Sequence, residues 1–215
     1  MRVEIFSDVV CPWCYIGKRR FEHALERFDG AADVEVEWRS FQLNPGQPKG
    51  VRESLEASLV AKMGATVAQV REMNDRVTRL AADEGLDYHF DRYHVVNTFD
   101  AHRLTHLAKS RGLGPEAHER LLRAQLVEGE ILDDVDTLVR LGAEIGVPAA
   151  DVREALESDA FAADVTADLR LATAFGINGV PFFVLDRRLG VSGAQPADAF
   201  LDALRAAAAG AGTPA

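Results

Sequence analysis

The stretch Phe6-Ser7-Asp8-Val9-Val10-Cys11-Pro12-Trp13-Cys14-Tyr15 holds both cysteines of the 215-residue chain and decides how its first elements fold. An alternating run, Val3-Glu4-Ile5-Phe6, leads into it and is typical of a β-strand. Apolar residues at helical spacing follow it, namely Phe21, Leu25 and Phe28. The cysteines are therefore predicted at a strand-to-helix junction. Pro12 suits the first helical turn there, because its missing N–H would have no helical partner.

This placement favours redox chemistry at the two cysteines. Free amide N–H groups and the positive end of the helix dipole favour the thiolate of Cys11, which is the predicted nucleophile. Cys14, one turn deeper, is close enough to form a disulfide with Cys11 and to resolve a mixed disulfide. A static disulfide and half of a zinc site are the alternatives. Because a zinc site normally needs four ligands and the chain has no second CxxC, a redox pair without metal is favoured.

Composition limits the partners and the compartment. Lys and Arg total 24 against 34 Asp and Glu, a net charge of −10, which argues against nucleic acid and anionic membranes as partners. No apolar run approaches the ~18 residues that a membrane span needs. Glu4 and Asp8 interrupt what would be the apolar core of a signal peptide. The chain is therefore expected to be cytoplasmic, where a pair of cysteines is more often catalytic than structural.

The remaining sequence predicts an α/β unit with a helical insertion. A second strand is predicted at 34–41, and a helical pattern fills most of 51–158. The last quarter predicts a helix ended by Gly176, strands at 180–185 and 189–192, and a final helix opened by Pro196. Because the two mixed parts are each too small to bury a core, they should share one sheet. The expected domains are residues 1–50 with 158–215, and an insertion of 51–157.

Four segments in order along the chain resemble the DsbA-type thioredoxin-fold oxidoreductases, most closely their cytoplasmic, FrnE-like branch. These segments are Ser7–Lys18, Asn97–Arg103, Gly176–Phe183 and Ser192–Gln195. The resemblance implies an α/β thioredoxin fold whose all-helical insertion separates a β-α-β part from an α-β-β-α part. It also implies a protein thiol–disulfide oxidoreductase or isomerase that acts on thiol or disulfide substrates. No cofactor is required, and glutathione is an optional co-substrate.

The resemblance also assigns site residues beyond the cysteines. It implies that Pro181 is cis, lies beside the Cys11 sulfur and takes part in catalysis. Val180 would then present its backbone to a substrate chain, which pairs with it like an added strand. Trp13, between the cysteines, is either a substrate contact or a surface aromatic. Ser192 and Gln195 either help free amides hold a carboxylate, such as that of glutathione, or simply form a strand-to-helix turn.

One position departs from the family pattern. DsbA relatives often carry an acid six residues before the first cysteine, which moves protons for the second cysteine, whereas this chain has Ile5 there. Asp8 is the substitute we expect for proton transfer. The rival function is that of kappa-class glutathione transferases and 2-hydroxychromene-2-carboxylate isomerases, which share the architecture but generally lack the CxxC pair. The intact pair favours the redox function, and the oligomeric state is left open.

Overall fold

The computed structural model describes residues 1–210, which form two compact units. One unit is Met1–Leu43 with the chain from Asp168 onward, and the other is Asn44–Ala167. In chain order the elements are β1 (Arg2–Ser7), α1 (Pro12–Glu26), β2 (Glu35–Ser40), β3 (Glu53–Ser54), α2 (Leu55–Met63), α3 (Val67–Asp83), β4 (His94–Val95), α4 (Phe99–Lys109), α5 (Gly114–Arg123), α6 (Val135–Glu144), α7 (Ala149–Glu157), α8 (Ala162–Ala174), β5 (Phe182–Leu185), β6 (Leu189–Ser192) and α9 (Ala197–Gly210).

The first unit is built on a mixed four-stranded sheet with the order β2-β1-β5-β6. Strand β1 runs parallel to β2, with Val3 opposite Val36, and antiparallel to β5, with Ile5 opposite Phe183. Strands β5 and β6 form a hairpin whose turn places Asp186 and Arg187 at positive φ. The two mixed parts predicted from the sequence therefore do share one sheet, and the α/β thioredoxin-like fold with a helical insertion is confirmed.

The two faces of this sheet bury different side chains, because neighbouring residues of a strand point to opposite sides. Val3 and Ile5 face α1 and α9, and they pack with Phe21, Phe183 and Phe200. The three phenylalanine rings lie 4.5–5.7 Å apart, centroid to centroid. Such aromatic contacts add to the stabilisation that burial of apolar area provides.

The opposite face carries buried charge as well as apolar contacts. The Glu4 carboxylate, 1% exposed, accepts hydrogen bonds from Arg39 at 2.7 Å and from Arg187 at 2.8 Å. Arg39 also binds Asp168 of α8 at 3.0 Å, and Asp168 accepts the Ser40 N–H at 2.9 Å. The hydrogen bond from Arg187, with the help of Arg39, outweighs burial and holds the pKa of Glu4 below its ordinary value. This network joins α8 to the sheet.

The second unit is mainly helical, and the segment Asn97–Arg103 holds it together. Asn97 accepts the Phe99 N–H through its side-chain oxygen at 2.9 Å, and its amide donates to the Gln47 carbonyl. The buried Arg103 guanidinium donates to backbone carbonyls where α7 ends, including that of Ala160 at 2.8 Å. This segment of the family resemblance therefore has a structural role: its side chains hydrogen-bond to other parts of the same unit.

The structure differs from the sequence-based expectations in three details. A two-residue ladder, β3 with β4, lies inside the segment predicted to be helical, because strands so short show no periodicity. A short π-helix at Ala124–Glu128 interrupts the α-helical pattern. The chain passes from one unit to the other at 43/44 and 167/168, whereas the sequence predicted 50/51 and 157/158. Within residues 1–210, no helix has the length and apolar character that a bilayer span requires.

Candidate active site

The two cysteines lie where the sequence predicts them, at the start of α1. Cys11 is the N-cap residue with extended backbone (φ −88°, ψ 114°), and Pro12 occupies the first helical turn. The Cys11 N–H donates to the Asp8 carbonyl at 2.9 Å, and the Cys14 N–H donates to the Cys11 carbonyl at 3.0 Å. Both side chains are buried free thiols.

Cys14 sits in an environment that favours its thiol. Burial raises the pKa of Cys14 well above its ordinary value, and the neighbouring Cys11 raises it further. Hydrogen bonds from the Ser7 hydroxyl and the Asp8 backbone N–H act in the opposite direction. Cys14 therefore tends to keep its proton in the dithiol, which fits the second cysteine of an exchange reaction better than the first.

The loop before β5 completes the site. The Val180–Pro181 peptide bond is cis, and the Cys11 thiol donates to the Val180 carbonyl, with an Sγ–O distance of 3.5 Å. The cis bond and its position beside Cys11, both implied by the family resemblance, are thus confirmed. Pro181 is buried and Val180 half-buried.

Gly17 of α1 lets the helix approach this loop closely. A Cβ atom at Gly17 would lie 2.9 Å from Cγ of Pro181 and 3.4 Å from Cα of Ala194. Arg20 of the same helix donates to the Ala194 carbonyl at 2.8 Å. Sequence reasoning missed both residues. The available signal was a glycine inside a helix, which costs about 1 kcal/mol relative to alanine and usually has a packing reason.

The turn at 192–195 supports Pro181 from the other side. The Gly193 N–H donates to the Pro181 carbonyl at 2.8 Å, and the Gln195 N–H donates to the Gly193 carbonyl at 3.0 Å. The Gln195 side chain folds back onto the Ser192 carbonyl at 2.8 Å. Ser192 and Gln195 are exposed, but two backbone amides of this turn already have partners within the protein.

The remaining predicted residues take up different positions around the cysteines. Trp13 is 38% exposed in the first turn of α1. Asp8 is buried, and its carboxylate accepts the Leu43 N–H at 2.8 Å. Ile5 is fully buried in the apolar core, so no carboxyl group occupies the position used by DsbA relatives. Within residues 1–210, no cluster of three or more His, Cys, Asp or Glu side chains could hold a metal ion.

Comparison with known proteins identifies the family. The model of the DSBA-like thioredoxin domain matches residues 2–205. The chain belongs to this family. A probable DsbA oxidoreductase from Streptomyces coelicolor shares 44% identity, with a TM-score of 0.96 over 100% of this chain and 92% of that one. The uncharacterized protein YwbO of Bacillus subtilis (strain 168) is 27% identical over 206 residues, which are 95% of this chain and 96% of YwbO.

A third similar structure bears on the rival function. The structure of a 2-hydroxychromene-2-carboxylate isomerase aligns with a TM-score of 0.69 over 98% of this chain and 96% of that one. Its identity is 15%, so this likeness concerns the fold alone. Family membership and the sequence together make the chain a DsbA-like oxidoreductase with a CxxC pair, Cys11–Cys14.

Proposed function

We propose that the protein is a thiol–disulfide oxidoreductase of the FrnE-like branch, with the Cys11-Pro12-Trp13-Cys14 sequence as its redox centre. The observation that carries the proposal is the position of Cys11. Its sulfur lies at the N-terminus of α1, 3.5 Å from the Val180 carbonyl beside cis Pro181, with Cys14 one turn behind it. Amide N–H groups and the helix dipole favour a thiolate at such a position.

In the reductive direction the Cys11 thiolate attacks a substrate disulfide. A Cys11–substrate disulfide forms, and the other substrate sulfur leaves as a thiolate that takes up a proton. Cys14 then loses its proton and attacks the Cys11 sulfur, which releases the second substrate thiolate. Two electrons pass to the substrate, and the Cys11–Cys14 disulfide remains. The oxidative direction is the reverse of these steps.

The environments of the two cysteines support this division of roles. Burial raises the pKa of Cys14, so its thiol does not compete with Cys11 for the substrate. Asp8 is the proposed proton-transfer group for Cys14, because it is buried in the turn that joins β1 to Cys11. The backbone of Val180 would pair with an extended substrate chain, and the exposed Trp13 would contact that chain.

The proposed substrates are protein thiols and disulfides or glutathione, in the cytoplasm and without nucleic-acid or membrane partners. No cofactor is needed, because the two cysteines carry the electrons themselves. If glutathione is a co-substrate, the exposed turn at 192–195, just before α9, is the proposed contact for one of its carboxylates.

A glutathione-dependent isomerase is the second candidate, and the fold it shares with 2-hydroxychromene-2-carboxylate isomerase is the observation in its favour. The intact CxxC pair argues for disulfide exchange. A Cys11→Ser variant separates the two functions. Disulfide exchange should disappear, since a serine hydroxyl forms no disulfide, whereas an isomerase could retain activity.

The decisive measurement is the reduction potential of the Cys11–Cys14 pair. The protein is equilibrated in glutathione buffers of graded ratio, and the free thiols are trapped and counted. We expect a value between those of thioredoxin, about −270 mV, and DsbA, about −120 mV. If no reversible disulfide forms at any ratio, the redox proposal is wrong and the isomerase becomes the leading candidate.

A further inference from the structure

Ser7 is a buried polar residue on the cysteine side of the sheet. It ends β1 and is 1% exposed. Because strand side chains alternate, Ser7 lies on the same face as Val3 and Ile5, the face that packs against α1. It is therefore two residues further along the strand than the position where DsbA relatives carry their acid.

The hydroxyl of Ser7 has a specific partner, the sulfur of Cys14. Both the Ser7 O–H and the Asp8 backbone N–H donate hydrogen bonds to this sulfur. A thiolate buried in an environment of low dielectric is costly unless donors are aimed at it. Two donors that converge on one buried sulfur offset part of that cost.

We propose that Ser7 is a positioning residue for the second step of disulfide exchange. Its hydroxyl and the Asp8 N–H form a two-donor site that holds the Cys14 sulfur and stabilises its thiolate during attack on the Cys11–substrate disulfide. This inference rests on the proposed function. In this site, two hydrogen bonds take the place of the acid that is missing at Ile5. They lower the free energy of the Cys14 thiolate, but they do not accept its proton.

The second step of exchange conserves bonds, electrons and protons. The Cys14 proton leaves, by way of Asp8 or water, and the electron pair of the thiolate forms the bond to the Cys11 sulfur. The bond between Cys11 and the substrate sulfur breaks, and the departing thiolate takes up a proton. Ser7 keeps its own proton throughout.

Other ionisable groups near Cys14 must stay constant in the test. They are the Cys11 thiol, the Asp8 carboxylate bound to the Leu43 N–H, and the Lys18 amine one turn further along α1, which pairs with Glu22. Strand β5 packs Phe183 against α1, and α9 packs Phe200 against it. Neither of these two side chains is ionisable. Substitutions confined to Ser7 leave all of these side chains in place.

The test follows both steps in one reaction with dithionitrobenzoate, whose released thiolate is coloured. Attack by Cys11 releases one coloured equivalent, and attack by Cys14 releases the second. Ser7→Val and Ser7→Thr have nearly the same shape, but only threonine keeps the hydroxyl. We expect Ser7→Val to slow the second phase about threefold at pH 7 relative to Ser7→Thr, with equal first phases. A thiol pKa higher by about one unit leaves tenfold less thiolate, and its greater nucleophilicity offsets part of that loss.

The controls separate the possible results. Thr105→Ala removes another buried hydroxyl, one that bonds within α4, and should change neither phase. If the branched variants do not fold, Ser7→Ala makes the same comparison with the parent chain. Equal second phases with and without the hydroxyl would overturn this inference alone. If the parent chain shows no first phase, the proposed function fails, and this inference fails with it.

Discussion

The two faces of the central sheet differ in whether they bury charged side chains. On the face toward α1 and α9, strand β1 presents Val3, Ile5 and Ser7, and the cysteines begin the helix packed there. On the face toward α8, the same strand presents Glu4, which is held by arginine side chains. The acid that DsbA relatives place near the second cysteine is thus absent from that side, although an acid stands one residue earlier.

This difference shows how strictly a strand assigns its side chains. A shift of one position along β1 moves a carboxylate from the thiol side of the sheet to the opposite side. Glu4 cannot act for Ile5, because the sheet lies between it and the cysteines and because its charge is already matched by Arg39 and Arg187. On the cysteine face, the proposed stabilisation of the Cys14 thiolate therefore comes from hydrogen bonds.

The largest effect is expected from Ile5→Glu, which places an acid on the cysteine face and so removes the difference in charge between the two faces. A glutamate buried without a partner has its pKa raised, so we expect a loss of about 4 kcal/mol of unfolding free energy at pH 7. Urea unfolding at several pH values measures this loss of unfolding free energy.

The sign of the pH dependence follows from that raised pKa. The charge-related loss begins at the unfolded pKa of about 4.3, grows as the pH rises toward the raised folded pKa, and is absent below about 4.3, where the acid is protonated in both states. Ile5→Gln, which is polar but uncharged, serves as the control and should show a loss that does not vary with pH. If Ile5→Glu behaves in the same way, this face is less apolar than its packing indicates.

The next largest effect is expected from Glu4→Gln, which removes the charge from the other face. Because Arg39 and Arg187 lose a buried partner, the unfolding free energy should fall by about 3 kcal/mol at neutral pH. The reduction potential of the cysteines should not change, since the sheet separates the two sites. Glu35→Gln, at an exposed position of β2, is the matched control and should cost less than about 0.5 kcal/mol.

Acid should remove the difference between Glu4→Gln and the parent chain. The folded pKa of Glu4 is lowered, so its contribution is fully present above the unfolded pKa of about 4.3. It is lost as the pH falls through the folded pKa, which lies below that value. A difference that persisted unchanged into acid would mean that Glu4 acts through its shape and not through its charge.

A smaller effect is expected at the edge of the cysteine face, from Gly17→Ala. The added methyl group would lie 2.9 Å from Pro181 and push it away from Cys11, so disulfide exchange should slow about tenfold, or 1.4 kcal/mol. The rate with a small disulfide and the melting temperature are both measured. Gly46→Ala, whose Cβ would meet nothing closer than 3.8 Å, should leave the rate unchanged. An unaffected rate in Gly17→Ala would show that the exact position of Pro181 is not limiting.

The smallest effect is expected from Gln195→Ala. If the turn at 192–195 contacts a glutathione carboxylate, KM for glutathione disulfide should rise about threefold while kcat stays the same. Asn178→Ala, another exposed loop substitution in the same unit, serves as the comparison. No change in KM would leave this turn with a purely structural role in supporting Pro181.

How much of this could be predicted depends on whether the signal was local. The junction at Cys11 was predictable, because strand alternation, helical spacing and a proline suited to the first helical turn all lie within a few residues. The cis bond before Pro181 came from the family resemblance, since the residues alone permit either isomer. The partnership of Arg39 with Asp168 joins residues 129 apart and left no local signal. Ser7 was likewise invisible as a partner of Cys14 until the strand face was known.

The buried Arg103 has a consequence for how the helical unit opens. Arg103 belongs to α4, and its guanidinium donates to backbone carbonyls at the end of α7 and to the Asp100 carboxylate at 2.9 Å. If either helix end unfolds, a buried cation and several carbonyls lose their hydrogen-bond partners together. Local unfolding of one helix without the other therefore has a high free-energy cost. The amide protons of α4 and of the last turn of α7 should therefore exchange with solvent as one cooperative group.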